Sequence, residues 1–102
     1  MNAMKFAEWL KSDTSQKTGL PFSARVRGNI VSRCRTVERR LGDDLDRMFS
    51  YKILFKASQR GDKAVDGLIP ISITYSYRTA VRKYVEHKMQ ELEITVTPES
   101  SG

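Results

Sequence analysis

The sequence predicts a small all-α domain, a bundle of four to five helices. The first observation behind this is a stripe. Val26, Ile30, Cys34, Val37 and Leu41 recur at steps of four, four, three and four. At about 100° per residue those steps hold all five on one narrow helical face. A second apolar face comes late in the chain, with Tyr77, Val81, Tyr84, Val85 and Leu92, and the stem of Lys88 lies along it. The third observation is size. The chain has 102 residues, 39% of them hydrophobic and 29% charged, which suits one core in one domain.

Taken in order, Phe6, Trp9 and Leu10 recur at helical spacing and predict a short amphipathic helix over 3–11. The polar run 12–19 reads as a loop. Leu20-Pro21-Phe22 leads into Ser23, whose hydroxyl suits an N-cap. The helix carrying the stripe runs over 24–41, and Gly42 fits the left-handed position that ends it. Gly28 inside this helix costs about 1 kcal/mol against alanine, and it leaves room for a backbone or a phosphate to approach.

Asp43, Asp44 and Asp46 suit the positive end of a third helix, with Leu45, Met48 and Phe49 on its apolar side. Residues 51–57 fit a helix better than a strand, because no partner strand is evident. Residues 59–67 read as a loop, and the Arg60-Gly61-Asp62 tripeptide within it is too short to carry a function. Leu68-Ile69-Pro70-Ile71-Ser72 repeats the earlier apolar entry, and a last helix follows over 74–92. The expected core is Trp9, Val26, Ile30, Cys34, Val37, Leu41, Leu45, Phe49, Val81, Tyr84 and Val85. Residues 1–92 form the helical domain, and 93–102 a tail or the start of a linker, with a β-prone pentad at its beginning.

Several function classes find no support. No apolar run approaches the roughly 20 residues of a membrane span, and the first residues do not read as a secretory signal. Cys34 and His87 are the only residues of their kinds, too few for a zinc site of nitrogen and sulfur ligands. With one cysteine there is no internal disulfide, which points to a reducing, cytoplasmic setting. The acids sit mainly at helix starts and in loops, and no pairing with His or Lys suggests acid–base catalysis. The glycines make no phosphate-cradling loop. The chain therefore reads as a non-enzyme with no cofactor and no metal. Cys34 is expected in the core as a small hydrophobe, and His87 is expected in solvent, away from the Val81 stripe.

What remains is positive charge. The net charge is +6, which favours a polyanionic partner. The helix 24–41 carries six arginines and one acid, Glu38. Arg25, Ser32, Arg35, Thr36 and Arg39 fall opposite the apolar stripe, while Asn29, Arg33 and Arg40 line a border where the Arg33 stem is expected to pack. Arginine offers a planar fork to phosphates and base edges, and short polar side chains add donors and acceptors beside it. Arg78, Arg82 and Lys83 repeat the theme on the last helix, Arg78 and Arg82 one turn apart on a ridge. Two basic helices on one core suit duplex DNA. A basic face that meets an acidic protein partner is the alternative reading, and RNA is a third.

The order of these parts resembles the N-terminal core-binding, SAM-like domain of tyrosine recombinases, the phage integrases. The likeness rests on Phe6-Ala7-Glu8-Trp9-Leu10, the basic helix from Ser23 to Leu41, Asp44-Leu45-Asp46-Arg47-Met48, and the run from Tyr75 to Val85. It implies a bundle that clamps DNA from one side, with the second and last helices facing the duplex, and an origin in a mobile element. The recombinase catalytic domain has no counterpart in this sequence, so its activity is not implied.

Overall fold

Local chemistry accounts for both ends of the longest helix. In the computed structural model, which describes residues 1–12 and 22–97, Ser23 accepts a hydrogen bond from the Val26 amide. That satisfies one of the donors a helix start leaves open. At the other end Gly42 takes φ 64°, a left-handed conformation that glycine adopts without a Cβ penalty. Between them lies a helix of 18 residues, about 27 Å long.

Six helices occur among the described residues: α1 Ala3–Ser12, α2 Ala24–Leu41, α3 Leu45–Met48, α4 Tyr51–Ser58, α5 Asp62–Asp66 and α6 Tyr75–Glu91. None of the described residues is in a strand. The all-α class is as expected, with one element more than four to five. The added one is α5, in a stretch that read as a loop. Gly61 enters it at φ 100°, and it packs on α4. A five-residue helix depends on such packing, because it is too short to hold on propensity alone. The polar segment after Ser12, with Leu20 and Pro21, lies outside the described residues, as do the last five.

Helices α1, α2 and α6 pack on one another. Phe6 of α1 meets the Tyr84 ring of α6 edge-on at 5.0 Å and stacks on Trp9 at 6.1 Å. Both geometries suit the ring quadrupole. Ile30, Cys34 and Val37 of α2, Leu45 and Phe49 of α3, and Val81, Tyr84 and Val85 of α6 are buried, as expected. Trp9 and Leu41 pack against this core while partly exposed.

Two expectations about burial fail. Val26 was expected in the core and is 40% exposed. Every residue from Ser23 to Val26 is exposed, so the first turn of α2 stands beyond the core and its stripe begins at Ile30. His87 was expected in solvent and is buried, with 6% of its surface accessible. Its ring lies 5.4 to 5.8 Å from those of Trp9, Phe6 and Tyr84. Helix α1 covers that flank of α6, so the buried arc of α6 is wider than its apolar stripe.

The β-prone residues after α6 form no strand. Glu93 turns the chain at φ 57°, Ile94 donates back to the Met89 carbonyl at 2.8 Å, and Thr97 donates to the Ser58 carbonyl at 2.8 Å. Ile94 and Val96 lie against the core. No described helix is long and apolar enough to cross a membrane.

Candidate nucleic-acid interface

Burying one stripe of α2 turns the rest of the helix outward. Arg25, Ser32, Arg35 and Arg39 are exposed, as their positions opposite the stripe require. Arg33 and Arg40 are exposed as well. Arg33, expected at the apolar border, is thus open to solvent. The outer face is therefore broader than the sequence suggested, with five arginines on it.

Few internal partners hold these side chains. Arg39 donates to the Thr36 hydroxyl at 3.4 Å, and the Arg40 guanidinium sits 4.8 Å from the centre of the Tyr77 ring. None of the five pairs with a described carboxylate. Thr36 is half-buried, and its hydroxyl donates to the Ser32 carbonyl at 3.0 Å. The sixth arginine, Arg27, is half-buried and donates to the Phe22 carbonyl at 2.7 Å.

The one acid of α2 does not neutralise this face. Glu38 accepts the Met1 ammonium at 3.1 Å and the Leu45 amide at 2.9 Å, so its charge is held at the junction with the chain start and α3. Asp44 accepts the same ammonium at 2.7 Å.

The basic residues of α6 are placed differently. Arg78 is half-buried, and its guanidinium donates to the Ile69 and Pro70 carbonyls at 3.1 Å each. Arg82 is exposed but pairs with Asp66 of α5 at 3.2 Å. Lys83 is largely covered, lies 3.3 Å from Glu86, and sits 5.5 Å from the centre of the Phe22 ring. The structure thus leaves the exposed α2 arginines without a described carboxylate partner and engages the α6 residues in internal contacts. The partners of Arg78 and Arg82 come from the segment before α6, which helical spacing within α6 does not reveal.

A second titratable group gathers where α1, α3 and α6 meet. Tyr84 donates its hydroxyl to Asp46, and Lys88 lies 3.4 Å from Asp46 and 3.7 Å from Glu91. His87 Nε2 is 3.5 Å from Glu91, and His87 Nδ1 is buried with no partner. Burial, then the Asp46 carboxylate, raises the Tyr84 hydroxyl above its ordinary value. These groups pair with each other and tie the elements together. Among the described residues no three His, Cys, Asp or Glu side chains group to hold a metal.

The chain matches no protein-family model, and no curated protein or solved structure is significantly similar to it.

Proposed function

We propose that this chain is a non-catalytic module that binds duplex DNA through the outer face of α2, with Arg82 and Lys83 of α6 in a secondary part. One observation carries the reading: Arg25, Arg33, Arg35, Arg39 and Arg40 stand exposed on one helix with no described carboxylate paired to them. A phosphate reaching them displaces water and counterions and breaks no ion pair. Arg82 would first have to leave Asp66, and Arg78 would have to abandon two carbonyls. The grip therefore rests on α2 more than on two equal helices. With Thr36 turned to its own backbone, contacts go mainly to phosphates, which position a protein without reading sequence. A likeness to the recombinase core-binding domain, an origin in a mobile element and a cytoplasmic setting belong to the same proposal.

Mobility shift of duplex DNA over a salt series tests it. Arg35→Ala and Arg39→Ala are expected to weaken binding on most sequences alike and to lower the salt slope by about one unit each. Their thermal stability should stay within about 0.5 kcal/mol of the parent. A parent that does not bind duplex at low salt overturns the reading and directs attention to an acidic protein partner. Variants that bind like the parent overturn it as well.

A further inference from the structure

The stretch from Arg47 to Gly61 contains no acid and carries Lys52, Lys56 and Arg60 among its cations. Its helix, α4, buries Leu54, Ala57 and Ser58 and exposes two large aromatic side chains, Tyr51 at 53% and Phe55 at 43%. Exposed aromatics one helical turn apart are unusual on a surface that has nothing to bind. Their rings are nearly parallel, 16° between planes and 5.7 Å between centres. The two rings stack on each other, and about half of each residue stays open to solvent.

At about 100° per residue, Lys52 and Lys56 form the next ridge around α4, and Arg60 in the following turn continues it. All three are exposed, with no described carboxylate paired to them. Ile53, the other exposed apolar residue of α4, lies beyond the lysine ridge. The lysines therefore separate it from the aromatic pair. A lipid surface calls for a continuous apolar face, which this arrangement interrupts. An aromatic ridge beside a cationic ridge matches a different ligand, one with flat bases on one side and phosphates on the other.

We infer that α4 is a platform for single-stranded nucleic acid, with bases stacking on Tyr51 and Phe55 and phosphates meeting Lys52, Lys56 and Arg60. Duplex DNA keeps its base faces hidden within the stack, so it gains little from this ridge. The platform shares no residue with the arginine face of α2.

The test titrates labelled oligothymidylate and oligouridylate of about 12 nucleotides, within the span single-strand binders cover, and follows anisotropy at low salt. The parent is expected to bind both oligomers. Tyr51→Ser and Phe55→Ser should each weaken binding by about fivefold or more. Tyr51→Phe should retain it, and the pair K52E/K56E should lose it without disturbing the core. Thermal midpoints confirm that each variant is folded. The α2 pair R35A/R39A should keep oligomer binding, which separates this inference from the duplex reading. A parent that ignores both oligomers overturns it. So do α4 variants that bind like the parent, loss confined to the α2 pair, or capture by anionic vesicles in place of oligomers.

Discussion

The Arg78 guanidinium donates a hydrogen bond to the Ile69 carbonyl, nine residues upstream, at 3.1 Å. The same nitrogen reaches Pro70, so one side chain fastens the segment before α6 to the helix itself. Charge-assisted bonds to half-buried carbonyls contribute more than surface ion pairs do. Arg78→Ala is therefore expected to lower stability by about 1–3 kcal/mol in denaturant melts. Arg35→Ala, on the open face of α2, should leave the melt nearly unchanged.

Gly28 invites a substitution with two readouts. A methyl group placed there meets no atom within 4 Å among the described residues. Its backbone is helical, so Gly28→Ala should raise stability by about 1 kcal/mol. It lies on the outward side of α2, close to Ser32 and Arg35 in the helical wheel. If a phosphate backbone lies against that face, the same methyl weakens duplex binding while the melt improves. Opposite signs in the two measurements would locate the contact.

Cys34 is fully buried, and burial, aided by the Glu38 charge, pushes its thiol up to about 12. Little thiolate exists near neutral pH, and no reagent reaches it without an opening of the fold. Labelling of the native protein should run more than about a hundredfold slower than that of a peptide thiol. Denaturant should restore the peptide rate. Rapid labelling in buffer would mean that α2 opens readily.

Burial lowers the His87 imidazole below its ordinary value, against the pull of Glu91 and with the help of Lys88. The unfolded chain takes a proton near the ordinary value of 6.5, while the folded chain still holds the ring neutral. Stability is thus full above that value and falls as the pH drops through it toward the lower folded value. Thermal melts between about pH 7.5 and 5 should show the fall in the parent and a flatter profile in His87→Phe. Equal profiles would remove His87 as the cause.

The Met1 ammonium gives the opposite slope. Burial works against its charge, but hydrogen bonds to Asp44 and Glu38, with the nearby Asp46 charge, raise it above the ordinary 8.0. Its contribution is complete below that value and is lost as the pH rises through the raised one. Melts between about pH 7 and 10 should fall more steeply for the free amine than for an acetylated chain start. The acetylated form should begin lower at neutral pH.

How much of this was legible in the sequence depends on how local the causes are. Helix α2 could be placed from end to end, because Ser23, Gly42 and the apolar stripe act within a turn or two of their own positions. Helix α5 could not, since Asp62–Asp66 holds by packing on α4. His87 was misplaced because α1, some 80 residues earlier, covers it. The arginines of α2 were found by helical spacing alone, whereas the engagement of Arg78 and Arg82 depends on carbonyls and a carboxylate from another segment. Tyr51 and Phe55 could be placed on a helix, but periodicity did not show that they face outward.

Asp46 lies within a helix of only four residues, yet it meets the Tyr84 hydroxyl, the Lys88 ammonium and, at 3.7 Å, the chain's first nitrogen. So short a helix has no persistence of its own. Its local opening frees the start of α1 and the second half of α6 from a shared anchor. The amides of these three segments should therefore exchange with solvent deuterium at one common opening free energy, as a single cooperative unit.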